Sequence, residues 1–306
     1  MKPAVLLLAH GTPDTPAGVA EFLRLVTGGR ELPASVVEEI RRRYELIGHS
    51  PLTDITHRQA QALARRLDLP VYVGMRNWHP FIAATVRRMS ADGIDRAAVL
   101  CLAPQNSRTS IGLYRDALNN AQPTFATAFV ESWHDHPALI RAFAQKLETT
   151  WRAACAETAA TLPVVFTAHS VPSRAIEQGD PYETQARETA ARVAAEVEGI
   201  AEWRFTFQSQ GASGGAWLGP TVEETIAALR QQGHTGVVLQ PIGFLADHVE
   251  VLYDIDVAFR AEAERHGMRL WRTVSLNDSP LLISALADLA TAHLGTIKSG
   301  AAAKNM

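Results

Sequence analysis

Short apolar runs alternate along the chain with longer stretches in which apolar residues return every third or fourth position. The runs predict strands at 3–9, 70–74, 97–103, 125–130, 163–168, 203–208, 236–240 and 269–274. Between them, "ITHRQAQALARRL" (55–67) and "PFIAATVRRMSADG" (80–93) carry helical spacing. Strands alternating with helices predict an α/β fold with parallel sheets covered on both faces. One pattern occurs twice, about half a chain apart. "VLLLAHGTP" (5–13) and "VVFTAHSVP" (164–172) each read as apolar run, Ala, His, small residue, spacer, Pro. Each is followed by a later strand running into Pro, "AAVLCLAP" (97–104) and "GVVLQPIGF" (236–244). The chain therefore divides into two such units, 1–140 and 141–278, within the helical stretch "HPALIRAFAQKLETTWRAACAET". A last helix over 279–295 is expected to pack back on the first unit, and 296–306 to form a flexible tail.

Composition narrows the function classes. A chain of 306 residues, 47% hydrophobic, can bury a core for two medium units. A net charge of −3 gives no basic field for nucleic acid. Its two cysteines, Cys101 and Cys155, are far apart, too few for an iron–sulfur cluster, and suggest a reducing compartment. The apolar run at the N-terminus stops at His10, too early for a signal peptide core, and no run is long enough to span a bilayer. A soluble cytoplasmic protein without stable membrane insertion is the expectation.

A lone His after a strand is ordinarily a loop residue, but His10 and His169 end equivalent strands of a repeat. In open α/β sheets ligands bind beyond the carboxyl ends of the strands, so the two could face one cleft. His57, His234, His266 and His293 fall in surface helices or turns and receive no role. The stretch "ADHVEVLYDIDVAFRAEAE" (246–264) predicts a helix with Asp247, Glu250 and Asp254 on one face. Stacked like charges are unfavourable unless something compensates them, and Glu250 could meet His169 there. A His and a carboxylate suit proton abstraction or a divalent transition metal such as iron(II). "RRRYELIGHSPL" (41–52), taken alone, is a solvated basic face. "QSQGASGGAWLGP" (208–220) lacks the Lys-Ser/Thr of a phosphate loop, and no Gly-x-Gly-x-x-Gly follows the first strand.

These residues also carry a family likeness. With "AHGTPDTP", "SPLTDITHRQAQAL", "LAPQNSRTS", "ESWHDHP", "TAHSVPSRAIEQGDPYETQ", "FQSQGASGGAWLGP" and "GFLADHVEVLYDID", the chain resembles ferrochelatases from about residue 4 to 292, most of all the coproporphyrin III branch. The resemblance implies two Rossmann-like, chelatase-type halves enclosing a porphyrin cleft. It implies that His169 and Glu250 face each other across the centre of the macrocycle plane and do the central chemistry on Fe²⁺, a substrate. Two pyrrole protons must leave as the metal enters. Asp247, His248 and Asp254 would form an outer track for metal or protons. Arg43, Tyr44, Ser50 and Tyr114, with Arg30 as a helper, would hold propionates or the ring edge. His10 stands where many relatives have an iron-ligating Tyr, so an axial role with a different ligand is implied. Thr27, Asn77 and Ala258 depart from the pattern: each replaces a polar or charged group of relatives.

The segment 27–48 is short and polar where protoporphyrin enzymes carry an apolar lip, which points to the four-propionate substrate. The implied product is coprohaem, made by a monomer without an organic cofactor, in transient contact with neighbouring haem-pathway enzymes. An apolar cleft is expected to raise the Glu250 pKa. Competing readings are a protoporphyrin IX enzyme, a sirohydrochlorin-type chelatase, and a non-enzymatic haem carrier. A phosphohistidine enzyme is disfavoured because Arg precedes neither strand-end His.

Overall fold

Each of the eight apolar runs forms a strand in the computed structural model, which describes residues 2–211 and 215–297. The strands are β1 (Pro3–Ala9), β2 (Val71–Met75), β3 (Arg96–Cys101), β4 (Ala126–Val130), β5 (Val164–His169), β6 (Trp203–Gln208), β7 (Gly236–Pro241) and β8 (Arg269–Arg272). They build two four-stranded sheets in the orders β2-β1-β3-β4 and β6-β5-β7-β8, every pairing parallel. The two orders are the same topology written twice, so the repeat in the sequence is a repeat in the fold. In both sheets the strand order reverses beside the first strand, between β1 and β3 and between β5 and β7. A crevice opens beyond the carboxyl ends at such a reversal.

The helices are α1 (Val19–Val26), α2 (Ala34–Ile47), α3 (Leu52–Leu67), α4 (Ile82–Ala91), α5 (Leu113–Asn120), α6 (Pro137–Thr158), α7 (Ser173–Glu177), α8 (Tyr182–Ala195), α9 (Val222–Gln231), α10 (Val249–Leu252), α11 (Arg260–Arg265) and α12 (Pro280–Thr296). Alternation along each strand sorts its side chains between two helical layers. From β1, Val5 and Leu7 enter one core with α6 and α12, whereas Leu6 and Leu8 meet Val86 and Met89 of α4. From β5, Phe166 faces the first of these cores and Val165 faces Ile226 and Leu229 of α9. The first core is therefore continuous through both halves. The division drawn at 140/141 falls inside α6, one unbroken helix that touches α8 and β7 on one side and α12 on the other. α12 also packs on α3, β3 and β4. Beyond residue 297 the expected tail lies outside the described residues, as do residues 212–214 of the Gly-rich loop. No helix among the described residues is long and apolar enough to cross a membrane.

The helix expected over 246–264 differs in the structure. Helical geometry starts only at Val249, after His248 in an extended conformation (φ −162°, ψ −176°). After one turn it gives way to a π-helical segment, Asp254–Phe259, and then to α11. Asp247 thus precedes the helix, and the single acidic face read from i, i+3 and i+7 does not form.

Two glycines set the strand-end histidines. Gly11 adopts φ +77°, and a Cβ there would lie 2.8 Å from the Met75 Cβ and 2.9 Å from the Trp78 Cβ. A Cβ on Gly243 would lie 2.8 Å from the Ala168 Cβ and 3.0 Å from its Cα, next to the His169 backbone. The loop leaving β7 therefore rests directly on the end of β5. Gly243→Ala is expected to lower the unfolding free energy by about 1–3 kcal/mol through this overpacking, measured by urea denaturation.

Candidate active site

The ends of the four central strands meet around one cavity of about 350 Å³. Ala9 and His10 come from β1, Leu102 and Ala103 from β3, His169 and Ser170 from β5, and Gly243 to Ala246 from β7. His248 and Glu250 complete the wall from the second half. The strand reversals thus bring the two repeated histidines, 159 positions apart in sequence, into one space.

Two imidazoles converge on one carboxylate oxygen. His169 Nε2 lies 3.7 Å from Glu250 Oε2, and His248 Nε2 lies 3.8 Å from the same atom. Each ring commits its other nitrogen to a backbone carbonyl: His169 Nδ1 donates to Ser170 O (2.5 Å) and His248 Nδ1 donates to Ala246 O (3.0 Å). With Nδ1 committed to a carbonyl, Nε2 is the ring atom that faces Glu250 and the cavity, and it can stabilise the carboxylate only as an N–H. His169 is further fixed through its own carbonyl, which accepts from the Tyr182 hydroxyl at 2.9 Å. The Glu250 carbonyl accepts from Gln208 Nε2 at 2.9 Å.

At 3.7 Å, His169 and Glu250 leave no room for a flat ring between them, since two van der Waals contacts on such a ring need about 7 Å. The imidazole supplied by the other half is His10.

The electrostatics also correct an expectation. Burial alone would raise the Glu250 pKa, but His169, then His248 and His10, outweigh it and hold the carboxyl at about 2. Burial would lower the His248 pKa, yet the hydrogen bond and charge of Glu250 leave it raised. His10 goes the other way: burial, reinforced by Arg76, lowers it to about 4, so it is neutral near pH 7. A neutral buried imidazole has a lone pair available for a metal. Asp254 is pushed up by burial, although Ser209 Oγ donates to it (2.6 Å) and Arg43 lies near.

The remaining expected residues separate into those at the cavity and those away from it. Tyr114 lines it, with the Arg76 guanidinium 5.7 Å over its ring. Arg43 reaches from α2 to Asp254 (3.6 Å) and stacks over Tyr253 (4.9 Å). Tyr44 is fully buried among Val19, Phe22 and Leu23, outside the cavity wall. Ser50 is buried against the Thr12 hydroxyl at 3.1 Å. Arg30 is exposed between α1 and α2. Asp247 is turned away, into bonds from Ser275 Oγ (2.7 Å) and Asn277 Nδ2 (2.9 Å). Of the departures, Thr27 caps α1 by donating to Leu23 O (2.9 Å), and Asn77 Nδ2 lies 3.2 Å from the His10 ring. Ala258 sits on the π-helical segment and contributes no carboxylate there.

Sequence reasoning missed Arg76, Phe244 and Gln208. Arg76 lines the cavity, and its buried Nε has no hydrogen-bond partner among the described residues. Its one signal was its place just past a strand end. A tighter trio of metal-type donors, His134, Asp135 and Glu188, lies at the seam between the halves. Its groups are already engaged: His134 with Ser132 (2.9 Å) and Glu188 (3.0 Å), and Glu188 with Arg192 (2.7 Å).

Comparison with known proteins agrees with this geometry. A family model described as Ferrochelatase matches residues 2–294. A ferrochelatase of Acidobacterium capsulatum is 51% identical, over 98% of this chain and 97% of that protein. A coproporphyrin III ferrochelatase of Geobacillus kaustophilus is 34% identical, over 93% and 94%. Among solved structures, SirB from Bacillus subtilis with Fe³⁺ superimposes with a TM-score of 0.58 at 12% identity, covering 97% of this chain and 98% of that one. CbiX, described as the terminal enzyme of sirohaem biosynthesis in denitrifying bacteria, gives 0.55 at 15%, over 94% and 98%. Those two likenesses concern the fold.

The Glu250–His248 pair has a pH signature. Glu250 is depressed, so its contribution to stability is full above the ordinary carboxylate value of 4.5 and is lost as pH falls towards 2. His248 is raised, so its contribution is full below the ordinary 6.5 and is lost as pH rises through its folded pKa. In Glu250→Gln the two largest raising causes are gone and only the Ala246 hydrogen bond and Asp254 oppose burial, so the His248 pKa is expected to fall relative to wild type, read by NMR titration of the imidazole.

Proposed function

The chain belongs to the ferrochelatase family, and we propose that it inserts Fe²⁺ into coproporphyrin III to give coprohaem and two protons. The observation that carries this reading is the convergence of the His169 and His248 Nε2 atoms on the ionised Glu250 within a cavity that also holds His10. Metal insertion demands two things at the ring nitrogens: acceptors for two protons, and a route for a divalent cation. His169 Nε2 takes a pyrrole proton as a general base. Glu250 stabilises the resulting imidazolium and takes up the second positive charge, directly or through His248. Before proton release the same three atoms form a nitrogen–oxygen donor set suited to Fe²⁺. His10, neutral and held by Asn77, is the ligand the other half offers to the iron of the product. No organic cofactor enters this chemistry.

Coproporphyrin, with four propionates, is favoured by the polar segment 27–48, by cationic Arg76 in the cavity wall and Arg43 near it, and by the likeness to the Geobacillus kaustophilus protein. Protoporphyrin IX is the second reading, favoured by the exposed Val26 and Leu46 on α1 and α2. The reading carries with it a cytoplasmic enzyme that acts as a monomer and passes its product to a neighbouring haem-pathway protein.

Anaerobic absorbance assays with Fe²⁺ and either coproporphyrin III, protoporphyrin IX or sirohydrochlorin test it. Coproporphyrin is expected to be metallated with the highest kcat/KM. His169→Ala is expected to lower kcat by about 10²–10⁴-fold with an unchanged melting temperature. Full activity in that variant, or preference for another tetrapyrrole, refutes the corresponding part.

A further inference from the structure

The segment that carries His248, Glu250 and Asp254 begins with an extended residue and continues as irregular helix: α10 is a single turn that runs on through Tyr253 into the π-helical segment and α11. Val251, Ile255 and Phe259 bury its apolar face in the core with α9. Its polar residues are tied from outside the segment at both ends.

The polar anchor that reaches both ends is Arg272, the last residue of β8. Its side chain is 12% exposed. Nε and Nη2 donate to the two oxygens of Asp256, both at 2.8 Å, in a two-pronged pair. Nη1 reaches Asp247 Oδ1 at 3.3 Å and donates to Thr273 O at 3.0 Å. One guanidinium thus grips the residue three before Glu250 and the residue six after it. Asp247 is locked further: its N–H donates to Asn277 Oδ1 at 2.9 Å, and Ser275 and Asn277 donate to its carboxylate. Asn277 in turn donates to Leu245 O at 2.8 Å, and its carbonyl accepts from Gln59 of α3 at 2.6 Å. The loop after β8 is thereby tied to both halves.

We propose that Arg272 is a positioning residue for metal insertion, bridging Asp247 and Asp256 so that Glu250 is presented to His169. This rests on the role given to Glu250 above. Arg272 touches neither the cavity nor the reacting atoms; it acts through the two aspartates. It also changes the part played by Asp247, which belongs to the clamp and not to an outer track for metal or protons. The requirement is for a planar fork. Lysine, with one point charge, cannot serve two carboxylates in this geometry. Without a cation the two aspartates repel each other in a half-buried site, and the segment between them loses a tie at each end.

The test uses the full chain with Arg272→Met, Arg272→Lys and Arg272→Ala. Porphyrin metallation is expected to lose about 100-fold in kcat in the Met variant, with the porphyrin KM unchanged, because a small misplacement of a reacting group is costly. The Lys variant is expected to recover little. The Ala variant is expected to regain activity with added guanidinium at concentrations far below those that denature, but not with added ammonium. Hydrogen exchange, independent of turnover, is expected to lose protection over 249–258 while β1, β5 and α6 keep theirs. Wild-type kcat in the Met variant, or equal rescue by ammonium, overturns the proposal. Protection lost evenly through both sheets also overturns it, because that marks general destabilisation. If the wild type metallates no porphyrin, the assigned activity falls, and the exchange experiment still decides the clamp.

Discussion

A carboxylate kept ionised inside a cavity is the constraint on which the rest of this structure depends. Glu250 stays charged because two imidazoles direct Nε2 at one of its oxygens. They can do so only because their Nδ1 atoms are bound to the carbonyls of Ser170 and Ala246. Both carbonyls belong to chain that has just left a strand of the second sheet. The tautomers, and with them the chemistry available, are set by where β5 and β7 end. A shift at either end would turn the Nε2 edges away from Glu250 and weaken what opposes burial.

The doubled topology explains how such a site can be assembled at all. Each sheet leaves a crevice beside its first strand, and a crevice in one sheet offers one strand-end histidine. Facing the two crevices gives a cavity with imidazoles from both halves. The continuous core through α6 and α12 holds that relation, since neither half has a separate hydrophobic centre on its inner side. At the seam, Asp180 accepts from Ser107 Oγ at 3.0 Å and from the Arg108 N–H at 2.7 Å, so the loop after β3 is fastened to the turn before Tyr182. Tyr182 then donates to His169 O. Inter-half contact and the orientation of His169 therefore share residues.

The fold was legible because buried parallel strands are apolar on both faces, which leaves runs that few other structures produce. Leu6 and Leu7 face different helical layers, yet both had to be apolar, and the run "VLLLA" announced it. His169 and Glu250 were legible as a candidate pair, but their arrangement was not. Periodicity treats 246–264 as one helix, and nothing local in "ADHVEVLYDID" reports that Arg272 draws Asp247 out of it. The Glu250 pKa was misjudged for a related reason. Burial was foreseeable from the apolar surroundings, whereas three imidazoles arriving from residues 10, 169 and 248 were not. Tyr44 and Ser50 carried a family expectation but form part of the packing under α1 and α2. Long-range neighbours, not local pattern, decide such cases.

The two halves share a topology and a histidine position but differ in the charged groups around it. His10 has Arg76 beside it, and burial and that cation both favour the neutral ring. His169 has Glu250 within 3.7 Å. The same position of a repeated fold thus has a different charged group beside it in each half. On the proposed reading, metal insertion would give the two imidazoles different tasks. The ring that accepts a proton needs an anion to stabilise its product state, whereas a ring that donates a lone pair to iron must not be protonated first. Exchanging the neighbours would place a cation against the base and an anion against the ligand. Arg76 and Glu250 therefore have to be considered as a pair, although they belong to different sheets and only Glu250 stood out in the sequence.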